Sequence, residues 1–323
     1  MRASLTRCFG VICLVAITAL PATACGKPGG APEDGDLLAI GTKKAGAGDY
    51  AGAIPDFKAA VEADPNSAQV HYLLGLALFH NGDNKEAILS LGRAVALDPK
   101  LTDAYIAVGN AYLKQEDKRS AFLAFNEAVL NDPENASALY KLGVLTYHGG
   151  RFEDAATLLE KAQLKRSEDP DIAFRLGMCR LNLGLTEDAA ESMRRTIALS
   201  PDHAEAWLNL GSCLTTQGQI PEAHKAYARA LELRPGWSEA LNGLGVVAQA
   251  ESKDEEALRR FHEAQAADPN NSRIHLNIGS LYEKQKKNAD AIAEYQLFLD
   301  GWKGNMETAE AIQKKIKELT HSK

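Results

Sequence analysis

The sequence predicts an all-α protein: a linear array of eight helical hairpins closed by one further helix. Three observations predict it. A glycine recurs every 34 residues, at Gly41, Gly75, Gly109, Gly143, Gly177, Gly211, Gly245 and Gly279. An alanine keeps the same beat, at Ala53, Ala87, Ala121, Ala155, Ala189, Ala223, Ala257 and Ala291. A proline closes six of the eight units, at Pro65, Pro99, Pro133, Pro201, Pro235 and Pro269.

The second unit, 68–101, shows what each residue is for. Glycine inside a helix costs about 1 kcal/mol relative to alanine. Gly75 and Ala87 therefore make sense where two antiparallel helices cross too closely for larger side chains. Leu74, Leu78, Leu91 and Val95 surround them at helical spacing. Asn81-Gly82 suits a left-handed end to the first helix, and Asp83 suits an N-cap for the second. Asp98-Pro99 ends the second helix, because proline disfavours a helical conformation in the residue before it.

These residues resemble the tetratricopeptide repeat (TPR), with Trp, Leu-Gly, Tyr, Ala, Phe, Ala and Pro at fixed offsets in about 34 residues. The third unit has Tyr105, Val108-Gly109, Tyr112, Ala121, Phe125, Ala128 and Pro133. The sixth has Trp207, Leu210-Gly211, Ala223, Tyr227, Ala230 and Pro235. The resemblance covers 34–305, as units 34–67, 68–101, 102–135, 136–169, 170–203, 204–237, 238–271 and 272–305. It implies a right-handed TPR solenoid of eight 34-residue helix-turn-helix repeats. Residues 306–323 are expected to form a C-terminal capping helix, with Ala309, Ile312, Ile316 and Leu319 as its apolar stripe. Two units depart from the pattern. The first carries Pro55 inside its second helix and Lys44 where other units are apolar. The fourth has Ser167 for proline, but Pro170 follows, and proline suits the first turn of the next helix.

The N-terminus differs from the array. Arg2 and Arg7 precede an apolar run over 9–20, too short to span a bilayer. Residues 1–24 read as a signal peptide. Ala22-Thr23-Ala24 before Cys25 resembles the lipobox of bacterial lipoproteins, which implies a lipidated Cys25. Ala22 stands where leucine is usual, so ordinary secretory cleavage is the alternative. Residues 25–36 hold the lipidation site and a Gly/Pro-rich linker with a reach of roughly 18 Å. Gly26, in place of an aspartate after the cysteine, favours the periplasmic face of the outer membrane. Without lipidation the protein is expected to be periplasmic or secreted.

Composition excludes some functions. The 323 residues carry a formal net charge of −7, with no cluster of Lys and Arg that would hold nucleic acid. HExxH, GxSxG and GxxxxGK motifs do not occur, and the repeats and cap take up 34–323, so no enzyme is expected. Gly243, Gly245 and Ala248 match a dinucleotide fingerprint, but they follow no strand and Gly245 is the repeat glycine, so no cofactor is expected. The histidines form no metal set: His71 and His275 take the position of Tyr105 and Trp207, and His80 and His148 lie two units apart. Cys179 and Cys213 sit at one repeat position. Packed helix axes lie about 8–10 Å apart, whereas bridged α-carbons need less than about 7 Å, so buried free thiols are expected.

In the TPR family the first helix of each unit lines a concave groove, through positions matching Tyr72, Leu73, Leu76, Phe79 and His80. Carried along the chain, these positions give an asymmetric groove. Its apolar part is Tyr72, Leu76, Phe79, Ile106, Tyr140, Val144, Tyr147, Phe174 and Met178. Lys141 and Arg175 share one repeat position within it and are expected to hold a carboxylate. Its polar part is Asn209, Asn242 and Asn277, whose amides suit the backbone of an extended peptide. An exposed apolar strip marks a binding site. The chaperone-tail clamp known in this family is not reproduced, because Tyr72, Ile106 and Tyr140 stand where its first lysine would be. The chain resembles bacterial repeat lipoproteins of the cell envelope, of two sorts: those that assist pilus secretin assembly and those that dock peptidoglycan enzymes. The resemblance implies a protein-binding scaffold for envelope proteins. The alternative is a polysaccharide or polymer export factor with a sugar-binding groove.

Overall fold

The computed structural model describes residues 34–321, which form seventeen helices and no strand. The first three hairpins pair α1 (Asp34–Gly46) with α2 (Tyr50–Ala63), α3 (Ala68–Asn81) with α4 (Asn84–Leu97), and α5 (Thr102–Lys114) with α6 (Lys118–Asn131). The next three pair α7 (Ala136–His148) with α8 (Phe152–Lys165), α9 (Pro170–Asn182) with α10 (Thr186–Leu199), and α11 (Ala204–Thr216) with α12 (Ile220–Leu233). The last two pair α13 (Ser238–Ala250) with α14 (Asp254–Ala267) and α15 (Ser272–Lys284) with α16 (Asn288–Gly301); α17 (Met306–His321) follows. Residues 34–36 of the expected linker are helical, while the signal peptide and Cys25 lie outside the described residues. Each helix packs against its neighbours in the chain, with lighter contact between successive first helices such as α11 and α13. This nearest-neighbour wiring is that of a solenoid.

Close crossing accounts for the two small-residue series. A Cβ on Gly75 would come 2.5 Å from Leu91 Cγ, and one on Gly109 would come 2.5 Å from Phe125 Cε1. The repeat alanines from Ala53 to Ala291 are fully buried opposite them. The turn inside each hairpin uses a left-handed residue. Gly48, Gly82, Gly150, Gly184 and Gly218 supply it in five units, but Glu116, Ser252 and Lys286 hold it at φ 61°, 60° and 59°. Asp83 does not cap α4 with its side chain as expected; its Oδ2 accepts instead from Asn81 Nδ2 at 2.7 Å. Elsewhere Asp49 and Asp117 do cap their helices.

The joints between units are also built by side chains. The carboxylates of Asp64, Asp98, Asp132 and Asp268 accept the N–H two residues on, the Asx turn that leads out of a helix. The rings of His71, Trp207 and His275 meet the carbonyls of Pro65, Pro201 and Pro269, each at 3.0 Å. The histidines at this position therefore latch a loop. Trp237 packs beneath the Arg234 guanidinium, 4.6 Å from the ring centroid. Trp302 packs on Phe298 and donates to Asn305 O at 3.0 Å.

The ends are closed differently. Lys44, out of place in an apolar position, pairs with Asp56 at 2.7 Å. α17 sets Ile312 against Tyr295 and Phe298, and its Lys315 pairs with Glu283 at 2.7 Å. Cys179 and Cys213 are free and buried, and burial pushes both thiols up to about 11.

Candidate functional site: a groove of two halves

The first helices place the groove residues, and the packing beneath decides how much of each is offered. In α3, Tyr72, Leu76 and Phe79 are half-buried, their inner edges set on a core that includes Leu78, Leu91 and Val108. Burial, with a contribution from Asp103, raises the Tyr72 phenol to about 12. Next to Phe79, the His80 ring stacks on Tyr50 at 4.7 Å. In α7, Tyr140 and Tyr147 pack against Leu159 and Leu176, and the Tyr147 hydroxyl accepts from Asn182 Nδ2 at 3.2 Å. Val144, between them, is half-buried. In α9, Phe174 and Met178 pack on a core that runs from Met193 of their own unit into Leu210 and Tyr227 of the next, and Phe174 meets the His203 ring at 4.4 Å.

Ile106 is a correction. It is 9% exposed and belongs to the core with Phe125 and Leu142, so it joins units three and four and does not line the groove. Tyr72, at the same repeat position, stays half-exposed.

The structure does not bring Lys141 and Arg175 into one contact. The Lys141 ammonium sits 5.8 Å from the Phe125 ring centroid. Burial there lowers its pKa, with Arg166 adding to the effect. Arg175 lies instead beside the Tyr140 hydroxyl and near His148. Each cation has its own aromatic neighbour, Phe125 for Lys141 and Tyr140 for Arg175.

The polar half is partly self-satisfied. Asn277 Nδ2 donates to Asn242 Oδ1 at 2.8 Å, and Asn209 Nδ2 reaches Met178 Sδ at 3.6 Å. Between α11 and α13 the surface opens into a pocket of about 340 Å³, whose lining includes Asn209, Ser212, Thr215, Asn242 and two residues that sequence reasoning missed, Tyr227 and Gly243. Tyr227 comes from α12 and points its phenol between the first helices. Gly243 makes room for it: a Cβ there would lie 2.5 Å from Tyr227 Cζ. The signal in the sequence was a glycine off the 34-residue beat, two before Gly245.

The fold and this face define a helical-repeat solenoid with a groove along its first helices. The chain belongs to the tetratricopeptide-repeat proteins. Residues 37–240 match the family model described as the cilia and flagella-associated protein 70 C-terminal domain, and residues 242–305 match the tetratricopeptide repeat model. A comparison with curated proteins finds no match. Among solved structures it is similar to YrrB, described as a TPR protein with an unusual peptide-binding site, at 24% identity and TM-score 0.54, covering 57% of this chain and 95% of that one. It is similar to pilF of Pseudomonas aeruginosa at 19% identity and TM-score 0.54, covering 67% and 97%. It is also similar to the C-terminal part of a TPR repeat-containing protein from Cytophaga hutchinsonii at 16% identity and TM-score 0.59, covering 75% and 99%. At these identities the likeness is one of fold.

Proposed function

We propose that this protein is a non-enzymatic scaffold that binds a segment of another protein in its groove. The reading is carried by the groove's division: half-buried aromatics along α3, α7 and α9, then amides and hydroxyls along α11, α13 and α15. Apolar anchors set in desolvated seats supply affinity, and amides hold main chain without reading sequence. The peptide-binding site described for YrrB is in keeping with it. In the fuller form of the proposal, Cys25 carries a lipid at the bacterial envelope. The partners are then envelope proteins that the scaffold brings together, in pilus secretin assembly or in docking peptidoglycan enzymes.

The test is a crosslinked pull-down from envelopes to obtain the partner, then one binding assay on two double variants. Tyr147→Ala with Phe174→Ala should cost about 2 kcal/mol or more. Asn209→Ala with Asn277→Ala should cost about 0.5–1.5 kcal/mol for each hydrogen bond lost. If the asparagine pair abolished binding while the aromatic pair left it intact, the aromatics would be packing surface and the sugar-chain alternative would replace this reading.

A further inference from the structure

The chain contains its own comparison for the pocket between α11 and α13. Tyr227 and Tyr295 hold the same place in units six and eight, each ring against its repeat glycine: a Cβ would come 2.8 Å from Tyr227 at Gly211 and 2.7 Å from Tyr295 at Gly279. In unit eight the Tyr295 hydroxyl donates to Glu283 Oε2 at 2.6 Å, and Lys315 pairs with that carboxylate at 2.7 Å. Thr215 is the counterpart of Glu283 in unit six. Its Oγ1 lies 3.5 Å from the Tyr227 hydroxyl, and it already donates to Gly211 O at 2.8 Å. Tyr227 is 6% exposed, and its hydroxyl meets only the neutral hydroxyls of Thr215 and Ser212 at the edge of an open pocket. Unit six therefore has neutral hydroxyls where unit eight has a carboxylate and an ammonium, and a pocket opens beside them.

We infer that this pocket is a subsite for a neutral amide side chain, glutamine or asparagine, of the segment bound in the groove. The inference rests on the protein-binding reading above and names what one position of the segment must be. The occupant must offer an acceptor that the Tyr227 hydroxyl can share with its two hydroxyl neighbours. It meets a second donor in Asn242, whose Oδ1 is taken by Asn277 while its NH2 group makes no hydrogen bond among the described residues. It must also offer a donor to the hydroxyl oxygens of Ser212 and Thr215. A primary amide has both. A carboxylate lacks the donor, and the two charges on the lining, Glu239 and Arg273, are opposite in sign, so the lining carries no net positive charge to favour an anion. A sugar ring needs an aromatic face to stack on, and the Tyr227 ring is held between Gly211 and Gly243. Gly243 also sets this unit apart from the others. The equivalent positions carry Ala39, Leu73, Ala107, Lys141, Arg175, Asn209 and Asn277, all with a Cβ.

A randomised peptide display library panned on the whole protein tests this. Selected peptides should share Gln or Asn at one position. Replacing that residue by alanine, or Tyr227→Phe in the protein, should each weaken binding about fivefold, one hydrogen bond's worth. The two changes together should lose no more than either alone. Tyr227→Phe keeps the ring against its two glycines; Gly243→Ala, whose Cβ must push the Tyr227 ring aside, serves as a second variant once its circular dichroism matches the parent. Selection of Asp or Glu at that position overturns the inference. So does a peptide set indifferent to Tyr227→Phe but weakened by Phe174→Ala, which would leave the scaffold reading standing. If no peptide is selected, both readings fall. Oligosaccharide binding sensitive to Tyr227→Phe would replace the amide by a sugar.

Discussion

Gly109→Ala should damage the array more than Gly143→Ala, although both glycines mark the same repeat position. A Cβ at residue 109 would lie 2.5 Å from Phe125 Cε1 and 2.7 Å from Cδ1 and Cζ. Carbon atoms rest about 3.5–4.0 Å apart, so the ring would have to retreat by about 1 Å. Phe125 is 0% exposed and has nowhere to go. At residue 143 the nearest atoms are Leu159 Cγ at 3.0 Å and Cδ2 at 3.2 Å, a mismatch of a few tenths that a leucine can absorb. Alanine returns about 1 kcal/mol of helix propensity at either site. Overpacking costs about 1–3 kcal/mol where it cannot relax. Gly143→Ala should therefore be near neutral, and Gly109→Ala should lose up to about 2 kcal/mol. Gly143→Leu, too large to absorb, should show the full overpacking cost. The assay is peptide-resolved hydrogen exchange. Faster exchange should centre on α3–α8 for Gly109→Ala and on α5–α10 for Gly143→Leu, because repeats touch mainly their neighbours. Equal losses for the two alanine variants would refute the packing argument. Uniform loosening from α1 to α16 would refute nearest-neighbour wiring.

Three further outcomes are expected. Glu116→Gly, Ser252→Gly and Lys286→Gly should each raise the urea midpoint. The left-handed conformation costs a side-chain-bearing residue about 1–2 kcal/mol, against about 0.4–1 kcal/mol of extra unfolded-state entropy for glycine; an unchanged or lower midpoint would mean that lost side-chain contacts outweigh the relief. Burial alone would raise the Glu283 pKa, but hydrogen bonds from Lys315 and Tyr295 outweigh it and hold the carboxyl below the usual range. The docking of α17 is then fully supported above the ordinary glutamate pKa and loses this support as the pH falls through the folded value. Exchange in α17 should accelerate over that interval, and the step should vanish in Glu283→Gln. Finally, if Cys25 carries the proposed lipid, Cys25→Ser should move the protein from the membrane to the soluble fraction; equal partitioning of both forms after alkaline carbonate washing would exclude the lipid anchor.

The fold was legible because its packing residues recur. Gly75 and Leu91 make the same contact as Gly109 and Phe125, so periodicity alone reports the crossing. What was not legible depends on a neighbour in space. Ile106 and Tyr72 share a repeat position, but Leu142 of the following unit closes over Ile106. Asp83 has the sequence of a cap, yet Asn81 takes its carboxylate. Lys141 and Arg175 align in the repeat, but the first lies over Phe125 and the second turns to Tyr140. Gly243 makes sense only beside Tyr227, which reaches it from the preceding unit.

The placement of the tryptophans has a practical consequence. Trp207, Trp237 and Trp302 are the only three in the chain, and all belong to the last three hairpins. Intrinsic fluorescence is therefore blind to the first half of the array, whereas far-ultraviolet circular dichroism weighs every helix alike. In a structure whose units are coupled only to their neighbours, melting can start at either end. Denaturation curves from the two signals should separate, the gap telling which end frays first. A ligand seated over Phe79 and Tyr147 would leave the emission unmoved, while one reaching the pocket beside Tyr227 would sit close to Trp207's unit and be seen.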